Sequence, residues 1–240
     1  MIPTYNEAGN IAKLVDGILQ LESSQELKQM DVDRILLVIV DDDSPDGTGG
    51  IAEELSKKYP GSLHVIHRKE RGRGSAGIAG FKYILSQDID DIIEMDADFG
   101  HNPADIPRLL KEAMNYDIVI GSRLVHGGDR GNRNLTRLCV SLGASLYARM
   151  MLGWGIKEWH SGYKCYRKQV LASLNFDKFI SRGYSIGMET LYRAINKGYS
   201  FKEIPIVFKE RTQGSSKFSV KEIRDYFKIV WQLRWHKEYD

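Results

Sequence analysis

The chain has 240 residues, 42% of them hydrophobic and 28% charged, so it is long enough to fold around a full-sized core. Its 34 basic and 32 acidic side chains leave a formal net charge of +2. This balance excludes a general nucleic-acid binder held by charge alone, and the ordinary apolar content excludes a disordered chain. The two cysteines are too few for a disulfide framework and favour a reducing compartment.

Short apolar runs alternate with helical periodicity in the first half of the chain. Predicted helices cover residues 11–19, 48–55, 74–85 and 104–114, and predicted strands cover 35–40, 63–66, 91–95 and 117–120. This alternation indicates an α/β fold with a mostly parallel central sheet flanked by helices. A buried strand should precede Pro3, and only Met1 and Ile2 do so, which predicts a truncated first strand.

The second half is less regular and contains two long amphipathic patterns. We predict helices over 135–152, 186–196 and 219–235, and a strand over 203–208 with Pro205 at an edge. The 135–152 helix carries an apolar face, which we assign to the core, with contact to a lipid or membrane as the alternative: Leu142, Leu146, Tyr147, Met150 and Met151. The predicted helix over 219–235 is basic and aromatic. Packing on the domain and lying on a membrane surface are equally good interpretations of this pattern.

Acidic residues follow two of the predicted buried strands. Asp41 to Asp43 come after the strand 35–40, and Asp96 and Asp98 come after the strand 91–95. The carboxyl ends of parallel strands meet in one crevice, and an extended Asp-x-Asp places both carboxylates on one side. Two such oxygen ligands suit Mg²⁺ or Mn²⁺, with water and a diphosphate completing the coordination. For residues 41–46, turn formation is an equally good interpretation.

An ordered set of motifs runs through nearly the whole chain. It comprises Pro-Thr-Tyr-Asn-Glu at 3–7, Asp-Asp-Asp-Ser-Pro-Asp-Gly-Thr at 41–48, Asp-Ala-Asp-Phe-Gly-His-Asn-Pro at 96–103, Gly-Ser-Arg at 121–123, Ser-Gly-Tyr at 161–163, Gly-Tyr at 183–184, Glu-Ile-Pro-Ile-Val-Phe at 203–208, and Arg211 with Gly-Ser-Ser-Lys at 214–217. This set resembles the dolichol-phosphate (polyprenol-phosphate) mannose synthases, which are inverting glycosyltransferases of the GT-A fold.

The resemblance implies roles for residues at the donor. The nucleotide would be held by Pro3, Tyr5, Glu7, Val40 and Asp42. The metal, Mg²⁺ or Mn²⁺, and through it the sugar diphosphate, would be held by Asp96 and Asp98, and the nucleotide sugar would also be bound at Asp96 and Ala97. Asp98 would also be catalytic, by orienting the acceptor phosphate through the metal. Arg211 and Lys217 would close over the donor phosphates. From the residues alone, Tyr5 is equally well explained as an ordinary packing aromatic. For residues 211–217, a solvated loop is the less favoured alternative.

A local excess of arginine marks residues 121–137, and its members are Arg123, Arg130, Arg133 and Arg137 against the single Asp129. Arginine forks match phosphate oxygens, so this segment indicates an anion-binding surface, with a solvated charged face as the alternative. The resemblance places the acceptor phosphate at Arg123, Arg137 and Ser141. No linker of Gly/Ser or Pro type separates the two halves of the sequence, which predicts one domain. Its parts would be a nucleotide-binding lobe over 1–121, an acceptor-binding lobe over 122–217 and a terminal helix over 218–240.

The implied reaction is transfer of mannose from GDP-mannose to a dolichyl or polyprenyl phosphate, with inversion. The enzyme would be cytoplasmic and peripheral to a membrane, with a separate membrane subunit as a further partner and no nucleic acid. Two departures from the family pattern are Gly100, where Ser or Gln is usual, and the 158–164 loop, where Glu158 and Lys164 replace Asp and Arg.

Three other functions stay open. One is the same chemistry with UDP-glucose or another UDP-sugar as donor and a lipid phosphate or glycan as acceptor. The second is an inactive nucleotide-sugar-binding module. A nucleotidyltransferase is a weaker third, because its glycine-rich opening usually differs.

Overall fold

The computed structural model of the chain describes residues 1–129, 131, 135–181, 183–208 and 220–235, without the side chains of 135–140 and 220–223. Its strands are β1 Ile2–Thr4, β2 Leu37–Asp41, β3 Leu63–His67, β4 Asp91–Glu94, β5 Ile118–Ser122, β6 Lys164–Arg167 and β7 Phe201–Pro205. Its helices are α1 Ile11–Leu19, α2 Gln25–Gln29, α3 Thr48–Lys58, α4 Arg73–Leu85, α5 Ile106–Ala113, α6 Leu135–Leu152, α7 Lys168–Ala172, α8 Ile186–Asn196 and α9 Val220–Trp235.

Strands β1, β2 and β3 form a parallel sheet in that order, and β4, β6, β5 and β7 form a second. The main chain of Met1 joins the two sheets, because its nitrogen donates to Ile93 O at 2.7 Å and its carbonyl accepts from Met95 N–H at 3.2 Å. The expected short first strand is therefore a three-residue strand between β2 and β4. As a result, the carboxyl ends of β1, β2 and β4 meet at one edge, as the α/β prediction requires.

Side chains of β2 alternate between two hydrophobic cores. Val38 and Val40 face a core that includes α4 and α8, whereas Leu37 and Ile39 face a core that includes α1 and α5. All five residues of β2 are buried, which explains the unbroken apolar run in the sequence. The predicted parallel arrangement is confirmed for this half of the fold.

The second sheet differs from the prediction in two strands. Strand β6 was not predicted, and it runs antiparallel to both β4 and β5. Strand β7 covers Phe201–Pro205 rather than 203–208, and it pairs with β5 at the edge of the sheet. An edge position tolerates Pro205, because a proline has no N–H to contribute to a ladder.

Helices α6 and α9 pack together and leave apolar side chains on the surface. Leu142, Leu146 and Met150 are 41%, 49% and 63% exposed, so assigning them to the core was wrong. Only Tyr147 and Met151 of the predicted face pack against the core. On α9 the buried side chains are Tyr226, Val230 and Leu233, and the exposed aromatic ones are Phe227, Trp231 and Trp235. Within the described ranges, no helix is both long and apolar enough to cross a membrane.

Candidate active site at the carboxyl edge of the sheet

A cavity of about 650 Å³ lies where β1, β2 and β4 end. Its other walls come from residues 71–73, residues 160–164, the 180–188 segment and one side of α9. The cavity wall contains these predicted donor-site residues: Pro3, Tyr5, Glu7, Asp42, Asp96, Ala97 and Asp98. Three sequence motifs far apart in the chain therefore contribute to one site.

The loop that follows β1 is fixed by the loop that follows β2. The N–H groups of Asn6, Glu7 and Ala8 donate to Ser44 Oγ at 3.1 Å, Thr48 Oγ1 at 2.9 Å and Asp46 Oδ2 at 3.0 Å. These bonds hold Tyr5 and Glu7 at the cavity, where the guanidinium of Arg71 lies 4.8 Å from the Tyr5 ring centre.

The acids that follow β2 divide into two kinds. Asp41 accepts from the Ser44 main chain at 3.1 Å and from its hydroxyl at 2.6 Å, and Asp46 accepts from the Thr48 N–H at 3.1 Å. The turn interpretation is therefore correct for Asp41 and Asp46, while Asp42 lines the cavity.

Asp42 also fixes the loop that precedes α4. Its Oδ1 accepts from Arg68 Nη1 at 2.5 Å, and its Oδ2 accepts from Gly72 N–H at 2.8 Å. Burial raises the pKa of this carboxyl, against the opposing effects of Gly72 and Arg68. Val40, two residues earlier, is an exception among the predicted nucleotide-binding residues, because its fully buried side chain belongs to the core. A contact between Val40 and the nucleotide would therefore have to come from its main chain, and the role of Val40 stays a prediction.

The Asp96 carboxylate is held by an arginine that the sequence did not single out. Arg73 donates to Asp96 Oδ1 from Nη2 at 2.6 Å and from Nε at 3.2 Å. The Cβ that Gly162 lacks would lie 2.8 Å from Asp96 Oδ2. Only a glycine at 162 allows the backbone to approach the carboxylate this closely.

Asp98 is buried at the end of the same segment, and its Oδ1 accepts from Gly100 N–H at 2.9 Å. A Cβ on Gly100 would lie 2.5 Å from Cε2 of Phe208 and 2.6 Å from its Cζ. The Phe208 ring thus fills the space of the Ser or Gln that the family pattern has at this position.

His101 stabilises the main chain that carries Asp96. Asp96 N–H donates to its Nδ1 at 3.1 Å, so the acceptor nitrogen is unprotonated and the ring carries its proton on Nε2. Burial lowers the pKa of this imidazole, and its ring stacks on Tyr163 with centroids 5.0 Å apart. Its role is therefore structural.

Asp96 and Asp98 are the residues that fit a divalent cation. Both carboxylates line the cavity, and oxygen donors of this kind suit Mg²⁺ or Mn²⁺. The described residues contain no group of three or more His, Cys, Asp or Glu side chains arranged to hold a metal. The remaining ligands would therefore come from water and from the diphosphate.

Arg123 of the predicted acceptor site forms an ion pair with the buried Glu158. Its Nε donates to Glu158 Oε1 at 2.6 Å, and its Nη2 and main-chain N–H donate to the same carboxylate. Glu158 is oriented in turn by Glu203, which accepts from the Glu158 N–H at 2.9 Å. Ser141 is half-buried on α6. The predicted residues outside the description are the side chain of Arg137 and all of Arg130, Arg133, Arg211 and Lys217.

The cavity wall contains further residues that were not predicted to belong to the site. They include Arg71, Arg73, His160 and, on α9, Asp225, Lys228, Ile229 and Gln232, together with Lys164, which stood out in the sequence only as a departure from the family pattern. Lys164 is buried and donates to Ser161 O, and burial lowers the pKa of its ammonium group. The sequence does contain a signal for Arg73, because this residue stands between two glycines at the start of a helix.

Comparisons with known proteins identify the family of this chain. Residues 1–174 match the profile of Glycosyl transferase family 2. The polyprenol monophosphomannose synthase of Mycolicibacterium smegmatis is 39% identical over 98% of this chain and 86% of its own length. The undecaprenyl-phosphate mannosyltransferase of Micrococcus luteus is 40% identical over 91% of this chain and 86% of its own.

One solved structure has the same fold at low sequence identity. Glucosyl-3-phosphoglycerate synthase of Mycobacterium tuberculosis, solved with Mn²⁺, UDP and glucosyl-3-phosphoglycerate, superposes with a TM-score of 0.65 and 17% identity. The match covers 97% of this chain and 76% of that one. Together with the family match, the two mannosyltransferase relatives confirm the family that the motifs predicted, and this chain belongs to Glycosyl transferase family 2.

Proposed function

We propose that this enzyme transfers mannose from GDP-mannose to a polyprenyl phosphate with inversion at the anomeric carbon. The observation that carries the proposal is the meeting of Tyr5, Glu7, Asp42, Asp96 and Asp98 in one cavity. The chain that forms this cavity is 39–40% identical, over more than nine-tenths of its length, to enzymes named for mannose transfer to polyprenol or undecaprenyl phosphate.

In this proposal the nucleotide lies against Tyr5, Glu7 and Asp42, and the diphosphate reaches Asp96 and Asp98. A bound Mg²⁺ or Mn²⁺ would neutralise the leaving diphosphate. Arg211 and Lys217 would add positive charge from the loop that follows β7. The lobes 1–121 and 122–217 would then bind donor and acceptor respectively.

The acceptor phosphate is an anion at neutral pH, so it attacks the anomeric carbon with little help from a general base. A bond forms between a phosphate oxygen and the anomeric carbon as the bond from that carbon to the diphosphate breaks on the opposite face. Arg123 would bind this phosphate with Arg137 and Ser141. It would do so while remaining paired with Glu158, which holds the guanidinium in place.

A transfer assay with radiolabelled GDP-mannose and a short polyprenyl phosphate tests the proposal. Product should appear with Mg²⁺ or Mn²⁺ and disappear with a chelator. Asp98→Asn should lower transfer at least 100-fold, since it removes a charged ligand. Asp90→Asn, at the exposed start of β4, is the matched control and should keep full activity. Transfer from UDP-glucose instead, or near-normal activity of Asp98→Asn, would overturn the proposed function.

We further propose that the enzyme rests on a membrane through an outer face formed by α6, α9 and Trp154, which lies two residues after the end of α6. The outer face comprises Leu142, Leu146, Met150, Trp154, Phe227, Trp231 and Trp235, which are 39–63% exposed. Basic side chains border it, because Arg149 lies over Trp154 at 4.9 Å and Arg234 over Trp235 at 5.3 Å. Exposed tryptophans beside basic residues are typical of helices that lie in an anionic lipid interface.

Sedimentation with vesicles containing phosphatidylglycerol tests the membrane proposal. Trp231→Ser/Trp235→Ser should weaken binding about tenfold or more, because two large aromatic groups no longer leave water. Met114→Ser removes an equally exposed apolar side chain elsewhere and is the control. Binding that survives the double substitution, or that is unaffected by salt, would refute a role for this face.

A further inference from the structure

Four charged side chains, two of them fully buried and two partly exposed to the cavity, form a group at its metal-binding edge. They are Arg73 at the start of α4, Glu94 on β4, Asp96, and Lys164 on β6. Glu94 and Lys164 are directly opposite each other on paired antiparallel strands, and each is 1% exposed. The formal charges of the group cancel, as burial of this many ions requires. The proposed donor and acceptor contacts use only Asp96 of the four.

Arg73 bridges two carboxylates. Its Nε and Nη2 donate to Asp96 Oδ1 at 3.2 and 2.6 Å, and its Nη1 lies 3.4 Å from Glu94 Oε1. The guanidinium is planar and rigid, so these contacts fix the orientation of the Asp96 carboxylate relative to β4. A lysine at this position would supply the charge without the fixed geometry.

The Gly162 backbone lies on the other side of the same carboxylate. The Lys164 ammonium donates to Ser161 O, which fixes the backbone just before Gly162. The absent Cβ of Gly162 would lie 2.8 Å from Asp96 Oδ2 and 3.1 Å from Arg73 Nη2. Asp96 is therefore bonded to Arg73 at Oδ1 and closely approached by the Gly162 backbone at Oδ2, while its side chain stays 29% exposed at the cavity.

We propose that Arg73 and Glu94 are positioning residues for the divalent cation. Arg73 orients the Asp96 carboxylate, and Glu94 offsets part of the positive charge of Arg73, so that Asp96 keeps more of its negative charge for the cation that it would hold with Asp98. Groups that orient a metal ligand typically change metal affinity 10- to 100-fold when they are altered. This inference rests on the proposed function for the identity of the metal site.

Mn²⁺ affinity, measured by electron paramagnetic resonance with and without GDP, tests the inference without relying on turnover. Arg73→Lys keeps the charge and loses the bridge, and we expect about tenfold weaker Mn²⁺ binding. Glu94→Gln leaves the charge of Arg73 without its offset, and we expect a loss of similar size. If either single variant fails to fold, Arg73→Met/Glu94→Gln removes the pair without leaving a net charge and should show the same weakened binding.

Arg193→Lys is the matched control, because Arg193 is bonded to the buried Glu189 at 2.8 Å on α8. This variant should bind Mn²⁺ within twofold of the unchanged chain. The inference is overturned if the unchanged chain binds no Mn²⁺, or if the altered Arg73 and Glu94 variants also stay within twofold. If Mn²⁺ affinity depends on Arg73 but the unchanged chain transfers no mannose, the proposed function is overturned and this inference is not. If the chain transfers mannose but its Mn²⁺ affinity does not depend on Arg73 or Glu94, this inference is overturned and the proposed function is not.

Discussion

Replacing Gly100 by alanine should destabilise the enzyme by overpacking at Phe208. The new methyl carbon would lie 2.5 and 2.6 Å from two ring carbons, whereas unstrained carbon contacts are about 3.5–4.0 Å. The backbone of Gly100 is not in the left-handed region, so the effect comes from the contact and not from the dihedral angles. The ring must therefore retreat by roughly 1 Å.

That retreat disturbs two contacts of the Phe208 ring. The ring meets His101 edge to face at 5.7 Å and lies 5.0 Å from the guanidinium of Arg123. Aromatic and cation–π contacts of this kind contribute about 0.5–1 kcal/mol each. With the overpacking, we expect Gly100→Ala to lower the free energy of unfolding by about 2 kcal/mol.

Urea denaturation of the single and double variants measures this effect. Phe208→Leu should make room for the methyl group, so Gly100→Ala/Phe208→Leu should recover at least about 1 kcal/mol relative to additive behaviour. A loss below about 0.5 kcal/mol for Gly100→Ala, or strict additivity in the pair, would refute the packing argument.

Three further predictions concern other buried positions. Gly162→Ala places a methyl group 2.8 Å from Asp96 Oδ2 and should lower mannose transfer at least tenfold in the radiolabel assay; unchanged transfer would contradict the close approach. Burial lowers the pKa of His160 to about 4 in the folded protein. As the pH falls, the imidazole is therefore protonated in the unfolded chain before it is protonated in the folded one. The contribution of His160 to the free energy of unfolding is therefore complete above about pH 6.5. It is lost progressively as the pH falls from there through about 4, and the total loss is up to about 3 kcal/mol. The free energy of unfolding, measured by urea denaturation at several pH values, should depend less on pH in His160→Gln than in the unchanged chain. Equal pH dependence in the two chains would contradict this role of His160. Glu189→Ala leaves Arg193 buried without its carboxylate and should cost about 3–5 kcal/mol in thermal unfolding, whereas a cost below 1 kcal/mol would show that water replaces the pair.

The sequence predicts most strongly those features that depend on neighbours along the chain. The apolar run of β2 and the Asp-x-Asp after β4 both occupy the places that strand periodicity assigns to them. By contrast, the contact between Arg73 and Asp96 joins a helix start to a strand end, and no local pattern specifies that approach. Strand β6 was missed because it begins with a charged residue, Lys164, whose burial depends on Glu94 across the sheet.

Surface helices show a second limit of sequence reasoning. Periodicity identified an apolar stripe on α6, but it cannot say what covers that stripe. Leu146 and Met150 are at core-like spacing and still lie on the surface, because the buried side of α6 packs against α9 through other residues. The motif resemblance located Val40 without distinguishing its side chain from its main chain, and only the fold shows that its side chain points into the core.

Helix α9 has three sides with different surroundings. One side lines the cavity with Asp225, Ile229 and Gln232, a second packs on the core with Tyr226, Val230 and Leu233, and the third belongs to the outer face. A helix is only about 10 Å across, so a bilayer on the outer face would lie one helix diameter from the reacting phosphate. A long isoprenoid chain could then stay in the lipid while its headgroup enters the cavity, and turnover should be insensitive to the number of isoprene units. Under the membrane proposal, α9 is both a wall of the cavity and the anchor of the enzyme, so deleting this helix should abolish both properties together.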